Sequence, residues 1–122
     1  MNNPSNPCGS VWSKAHQLEI IEFANRVKVP ILADEIYYGV VYDETAEFNS
    51  FGNLTTDVPV ICTSGISKIY GVPGWRLGWI IVYNNHGYFD EVIEGLKKHQ
   101  MILLHPNTLI QSALPRILAE TP

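Results

Sequence analysis

The sequence predicts an α/β fold in which a mostly parallel sheet is flanked by helices. Two short, unbroken apolar runs, residues 29–33 and 58–63, support this prediction. Apolar runs of this length are typical of parallel strands that are covered on both faces. Because open α/β sheets bind ligands at the carboxyl ends of their strands, those two strand ends are the expected position of a functional site.

The first predicted helix spans residues 13–28. Ser13 is a suitable N-cap residue for it. The run at residues 29–33 follows as a strand and delivers Asp34 at its carboxyl end. Residues 43–57, which are rich in Asn, Gly and Thr, are expected to form a surface connection. Apolar side chains recur at helical spacing within the first helix: Leu18, Ile21, Ala24 and Val27.

The second half of the chain continues this alternation of elements. The run at residues 58–63 is the second predicted strand, and residues 79–83 are predicted to be a third, also buried. Residues 88–104 carry apolar side chains at helical intervals, which favours a helix packed on the sheet. Residues 108–119 are predicted to be another helix, which Pro115 should kink or interrupt.

Composition excludes several classes of partner. The 122 residues carry 8 basic and 12 acidic side chains, a net charge of -4, with no basic cluster for nucleic acid or anionic membrane. Apolar stretches are far too short for a membrane span and no signal-peptide pattern occurs, so we expect a soluble, cytoplasmic protein. Cys8 and Cys62 are expected to be reduced thiols. Four scattered histidines show no ligand pattern, so no metal is assigned: His16, His86, His99 and His105.

Residues 65–78, Gly-Ile-Ser-Lys-Ile-Tyr-Gly-Val-Pro-Gly-Trp-Arg-Leu-Gly, are the most informative motif. A lysine that forms a Schiff base must be partly buried so that its free amine is available near neutral pH, and arginine's rigid donor fork suits a phosphate. Lys68 and Arg76 therefore predict a site for an aldehyde cofactor that carries a phosphate. The alternative is a surface lysine and a structural arginine. Against it stand five small residues, hard to explain by packing alone: Gly65, Ser67, Gly71, Gly74 and Gly78.

Three motifs resemble those of the class I aminotransferases, the fold-type I enzymes that use pyridoxal 5'-phosphate. The run around Lys68 resembles their cofactor-lysine signature. Residues 3–9, Asn-Pro-Ser-Asn-Pro-Cys-Gly, resemble their Asn-Pro-x-Asn-Pro-x-Gly loop, and residues 33–37 resemble their Asp-Glu-x-Tyr strand end. The motifs occur in the family's order, and with the segments between them they cover essentially the whole chain. The pairing of Asn-Pro-Cys-Gly-Ser at residues 6–10 with Val-Pro-Gly-Trp-Arg-Leu-Gly-Trp at residues 72–79 is most similar to the branch of the family that acts on tyrosine.

The resemblance implies a role for each matching residue. Lys68 would form the internal aldimine with the cofactor and then move the proton at the substrate's α-carbon. Asp34 would keep the pyridine nitrogen protonated, so that the ring accepts electrons. Asn6 and Tyr37 would hydrogen-bond the phenolic oxygen, and Arg76 would bind the phosphate. Taken singly, an Asp after a strand is often a cap or turn residue and an Asn-Pro is usually a turn, so the joint occurrence of the motifs carries the assignment.

The resemblance also implies a position within a larger fold. Residues 1–122 would be the central part of the large, cofactor-binding domain, without the upstream half of that domain and without the small domain. In the family, the upstream half supplies the ring-stacking aromatic, and the downstream part supplies the arginine for the substrate's α-carboxylate. We therefore expect an internal piece of a larger, homodimeric enzyme. Gly65 departs from the family pattern, since many members have a serine there that contacts the phosphate.

The reaction implied is transfer of an amino group from an aromatic, tyrosine-like L-amino acid to 2-oxoglutarate. Its partners would be small-molecule amino acids and 2-oxo acids, without nucleic acid or membrane. Two alternatives stay open: another fold-type I enzyme with the same cofactor, such as an alanine-type transaminase, a lyase or a synthase, or a truncated chain that is catalytically inactive. A sheet cut out of its domain would expose apolar surface, so self-association is expected.

Overall fold

The computed structural model of the chain describes residues 1–120. The predicted helices and strands are all present, so the α/β class is confirmed. The elements are α1 (Lys14–Val27), β1 (Ile31–Asp34), β2 (Val60–Gly65), α2 (Ile66–Ile69), β3 (Gly78–Tyr83), α3 (Asp90–Leu103) and α4 (Thr108–Glu120). Short 3-10 turns lie at Phe51–Asn53, Pro73–Trp75 and Asn85–Gly87.

The sheet has the strand order β1-β2-β3 and combines both kinds of pairing. Strand β1 pairs with β2 in parallel, with Asp34 opposite Thr63. Strand β2 pairs with β3 antiparallel, with Gly65 opposite Gly78. On the other side of β1, Asn2 forms a parallel bridge with Asp34. The end of β1 is therefore held between two neighbouring segments.

Helix α1 covers one face of the sheet and contributes to the core there. As predicted, Ser13 is its N-cap, and the Ser13 hydroxyl oxygen accepts from the His16 N–H at 3.3 Å. Gln17, Ile21 and Ala24 are buried at helical spacing. The buried apolar residues around this face form the core: Ile21, Ala24, Ile31, Ala33, Phe51, Val58, Val60 and Cys62.

The opposite face of the sheet is open. The register aligns Leu32, Ile61 and Val82 across the three strands, and Leu32 is 59% exposed. Ile80, two residues before Val82, is 42% exposed. The predictions that residues 29–33 are covered on both faces and that 79–83 are buried are therefore wrong. Helix α1 and the loop before β2 pack on one face, and no described element packs on the other.

Helices α3 and α4 are present where they were predicted, but neither contains a buried residue. The prediction that residues 88–104 pack on the sheet is wrong for α3, although Phe89, directly before it, is buried. Helix α4 continues through Pro115, so the predicted interruption does not occur. Within residues 1–120, no helix is both long enough and apolar enough to cross a membrane.

Candidate active site at the strand ends

Asp34 is the last residue of β1 and is half-buried. Its N–H donates to the Met1 carbonyl at 2.8 Å, and its own carbonyl accepts from the Asn3 N–H at 3.1 Å. On its other side, the parallel pairing with β2 sets it opposite Thr63. Both neighbouring segments therefore fix the direction in which this side chain leaves the sheet.

The Asp34 carboxylate accepts three side-chain or turn hydrogen bonds. Oδ1 accepts from the Thr63 hydroxyl and from the Ile36 N–H, each at 3.3 Å. Oδ2 accepts from Nδ2 of Asn2 at 3.3 Å. An ionised carboxylate offers about four acceptor positions, so one position on Oδ2 is left. No cationic side chain of residues 1–120 forms an ion pair with Asp34, and a cationic N–H would fit that position.

Asn6 and Tyr37 meet beside this strand end. Nδ2 of Asn6 donates to the Tyr37 phenol oxygen at 3.3 Å. The loop that carries Asn6 is closed by two backbone hydrogen bonds, from Ser5 N–H to Ser10 O at 2.9 Å and from Gly9 N–H to Ser5 O at 2.8 Å. The two side chains line an open groove of about 460 Å³, within the usual range for small-molecule sites. Sequence reasoning placed both residues in one site, and the structure brings them into contact.

Lys68 lies on α2, the single helical turn that follows β2 directly. Its Nζ is 5.7 Å from the centroid of the Tyr37 ring, within the range of a cation–π contact. The lysine is nevertheless exposed. The prediction that Lys68 is partly buried is therefore wrong for this chain, because the described elements bury Ile66 of α2 but leave the Lys68 side chain open to solvent.

Arg76 makes no hydrogen bond to the other predicted site residues. It has a left-handed backbone, with φ 51°, just after the 3-10 turn Pro73–Trp75. Its Nη1 donates to the Pro73 carbonyl at 3.0 Å, and the side chain is exposed. This turn contacts α2, the helix of Lys68, but the Arg76 guanidinium makes no hydrogen bond to the other four predicted site residues. Its remaining donors are open to an anion.

Packing accounts for part of the small-residue pattern around Lys68. A Cβ on Gly65 would lie 2.8 Å from the Leu77 carbonyl oxygen and 3.0 Å from the Cα of Gly78. The close approach of β2 and β3 thus requires glycine at position 65, whatever ligand is bound. Gly71 has φ +65°, which explains it on conformational grounds. Gly74 has open space around the position of a Cβ, so neither packing nor backbone conformation explains the glycine there.

The family is decided by a match along the full sequence. The profile of the family "Aminotransferase class I and II" matches residues 1–122. The chain belongs to this family. Tyrosine aminotransferase of Homo sapiens is 46% identical over 123 residues, which are 100% of this chain and 27% of that protein. This aminotransferase chain thus spans about a quarter of the length of the curated relatives it matches.

Solved structures of aminotransferases share the fold. The crystal structure of tyrosine aminotransferase from Leishmania infantum matches with a TM-score of 0.83 and 31% identity, over 100% of this chain and 33% of that one. Alanine aminotransferase from Pyrococcus furiosus matches with a TM-score of 0.82 and 39% identity, over 88% of this chain and 27% of that one. The strand ends described above are therefore part of an aminotransferase fold.

Sequence reasoning missed two residues that contact the predicted site residues. Asn2 donates to Asp34 through Nδ2, and its Oδ1 accepts from the Asn6 N–H at 2.7 Å. Thr63 donates to Asp34 from the neighbouring strand. The signal for Thr63 is the strand register, which a single sequence does not provide. Asn2 directly precedes the Asn-Pro loop, and that adjacency was its only signal.

A buried polar group supports the strand end from the core side. Glu35 is 6% exposed, and its Oε1 accepts from the Phe51 N–H at 2.9 Å. Burial raises the pKa of the neighbouring Cys62 thiol, the nearby charge of Glu35 raises it further, and the Ser50 hydroxyl at 3.7 Å partly opposes the shift. Cys62 is a free, buried thiol and Cys8 a free, exposed one. In the described part of the chain, no cluster of His, Cys, Asp and Glu could hold a metal.

Proposed function

We propose that the chain is part of an aminotransferase that moves the amino group of an aromatic, tyrosine-like L-amino acid to 2-oxoglutarate. These residues would supply one side of its pyridoxal 5'-phosphate site. The observation that carries the proposal is the Asp34 carboxylate, which has one acceptor position left and no cationic partner among residues 1–120. A protonated pyridine nitrogen is a donor that suits this position.

The other residues take roles that their chemistry allows. When bound, the cofactor supplies an electron sink for the carbon that loses its proton. Lys68 is proposed to form the imine with the cofactor's aldehyde and to carry the proton at the substrate's α-carbon. Asn6 and Tyr37, joined at 3.3 Å, would hold the phenolic oxygen. Arg76 would hold the phosphate through the donors that Pro73 leaves open.

The isolated chain is proposed to be inactive in catalysis. Lys68 and Arg76 are both exposed, and an imine-forming lysine needs desolvation to present its free amine. In the longer enzyme we propose a homodimer that works in the cytoplasm on small molecules, without a nucleic-acid or membrane partner. An alternative is an alanine-type transaminase, which the likeness to alanine aminotransferase favours.

Borohydride trapping on the purified chain tests cofactor binding. The chain is mixed with pyridoxal 5'-phosphate and reduced, and the modified lysines are mapped by peptide mass spectrometry. Because the strand-end residues would hold the cofactor's ring beside Lys68, we expect selective labelling of Lys68 over Lys98, an exposed lysine on α3, and loss of that selectivity on denaturation. Asp34→Asn should also reduce labelling of Lys68. Equal labelling of all lysines in native and denatured protein would contradict the proposal that these residues bind the cofactor.

The amino donor is tested in the longer enzyme. Tyrosine and alanine are each supplied with 2-oxoglutarate, and products are measured. A transaminase makes glutamate and the matching 2-oxo acid in equal amounts, whereas a lyase or synthase does not. Preference for alanine would replace the tyrosine-specific proposal with an alanine-type transaminase. Products in unequal amounts would replace it with a lyase or synthase.

A further inference from the structure

The side chain of Asn2 connects two residues of the proposed cofactor site. Its Nδ2 donates to Oδ2 of Asp34 at 3.3 Å and approaches the Asp34 carbonyl oxygen at 3.4 Å. Its Oδ1 accepts from the Asn6 N–H at 2.7 Å. One amide group thus contacts Asp34 on the sheet and Asn6 on the loop.

The amide provides a donor and an acceptor on one short side chain, and both contacts use it. The carboxylate of Asp34 needs a donor, and the N–H of Asn6 needs an acceptor, so the partners also determine which end of the amide faces which residue. An aspartate at position 2 would keep the acceptor but would place a second carboxylate against Asp34. An alanine would provide neither contact. The backbone of Asn2 is itself fixed, because it forms the parallel bridge with Asp34 at the edge of the sheet.

We infer that Asn2 is a positioning residue that sets the spacing between the Asp34 carboxylate and Asn6. This inference rests on the proposed function, in which Asp34 receives the ring nitrogen and Asn6 the ring oxygen of one rigid, planar group. Two contacts to a rigid ring form together only if their partners are held at a matching separation. Asn2 supplies that constraint without touching the ring.

Hydrogen exchange in the chain without cofactor tests the link itself. Asn6 is exposed, so the hydrogen bond to Asn2 is the main protection of its backbone N–H. Asn2→Ala should speed exchange of this N–H by roughly tenfold, whereas Asn2→Asp, which keeps an acceptor, should leave it protected. Asn25→Ala on α1 is the matched control and should change nothing at Asn6. Unchanged exchange in Asn2→Ala would overturn the inference.

Cofactor affinity tests the positioning role. The wild-type chain and both Asn2 variants, with folding checked by circular dichroism, are titrated with pyridoxal 5'-phosphate and with its analogue that lacks the ring oxygen. Asn2→Ala should weaken binding of the cofactor by about tenfold and binding of the analogue by less, because the analogue makes no contact with Asn6. Asn2→Asp should weaken binding of both ligands, since it places a second carboxylate against Asp34.

A double-mutant cycle distinguishes failure of the positioning role from failure of the proposed cofactor binding. The effects of Asn2→Ala and Asn6→Ala on cofactor affinity should be strongly non-additive. If the wild-type chain binds the cofactor but the two effects add, the inference fails and the proposed function stands. If the wild-type chain does not bind the cofactor, the cofactor-binding role proposed for these residues fails, and the positioning role fails with it.

Discussion

The Thr63 hydroxyl donates to Oδ1 of Asp34 at 3.3 Å across the parallel pair of β1 and β2. The two residues are also register partners, so backbone pairing and a side-chain hydrogen bond act at the same point. This contact, together with the Ile36 N–H, occupies Oδ1, so the one acceptor position left for a ligand is on Oδ2, which also accepts from Asn2. The neighbouring strand therefore helps to orient the carboxylate proposed to bind the cofactor.

Replacing Thr63 by valine should weaken cofactor binding. Valine keeps the shape of the side chain but removes the donor to Asp34, and a hydrogen bond of this kind contributes about 0.5–1.5 kcal/mol. The dissociation constant for pyridoxal 5'-phosphate, measured by absorbance titration of the chain, should rise roughly threefold to tenfold. Thr56→Val, at an exposed position, is the control. Equal affinities of wild type and Thr63→Val would show that this hydroxyl does not orient the carboxylate.

Gly65→Ser should destabilise the fold. Its Cβ would lie 2.8 Å from the Leu77 carbonyl oxygen, so β2 and β3 would have to separate locally. Such overpacking costs about 1–3 kcal/mol in the free energy of unfolding. Gly74→Ser has open space around the new side chain and is the matched control. Urea unfolding measures both, and a Gly65→Ser chain as stable as the control would refute the close-packing explanation.

Strand positions were predictable because each strand is a short apolar run, but the covering of the strands was not. Ile31 and Leu32 are both apolar in sequence, yet one is buried and the other is 59% exposed. An apolar run shows that a segment prefers to be buried. It does not show whether this chain contains the element that covers it, and here one face of the sheet is open.

The contacts of the candidate site were predictable where its residues lie in motifs. Tyr37 contacts Asn6 and Lys68 directly. Asn2 links Asn6 to Asp34. Arg76 has no such contact, since its guanidinium donates to the backbone of its own turn. Thr63 was missed because its contribution depends on strand register, which a motif does not encode. The pattern of small residues was over-interpreted at Gly65, where strand packing alone demands glycine.

The buried thiol of Cys62 should make stability fall at high pH. Burial raises its pKa above the ordinary value of 9.0, so the unfolded thiol ionises at lower pH than the folded one. The contribution of the Cys62 thiol to the free energy of unfolding is complete at pH values below the pKa of the thiol in the unfolded chain. It is lost as the pH rises above that pKa. The difference in the free energy of unfolding between wild type and Cys62→Ala should therefore narrow as the pH rises past the ordinary thiol pKa of 9.0. Urea unfolding at several pH values measures this, and a constant difference would contradict it.

The chain should self-associate through the open face of its sheet. Leu32 and Ile80 lie on this face and are 59% and 42% exposed, with Ile61 and Val82 beside them. Contiguous apolar surface of this kind favours association in water. Sedimentation velocity should show a sedimentation coefficient that rises with concentration, and the double variant Leu32→Lys, Ile80→Lys should reduce this rise.

Leu18→Lys is the control for that experiment. Leu18 is 43% exposed on α1, away from the open sheet face, so this variant adds a charge without altering the proposed contact surface. It should associate like the wild type. A wild-type chain that stays monomeric at all concentrations would contradict the prediction. Equal reduction by Leu18→Lys would mean that net charge, rather than the apolar face, controls association.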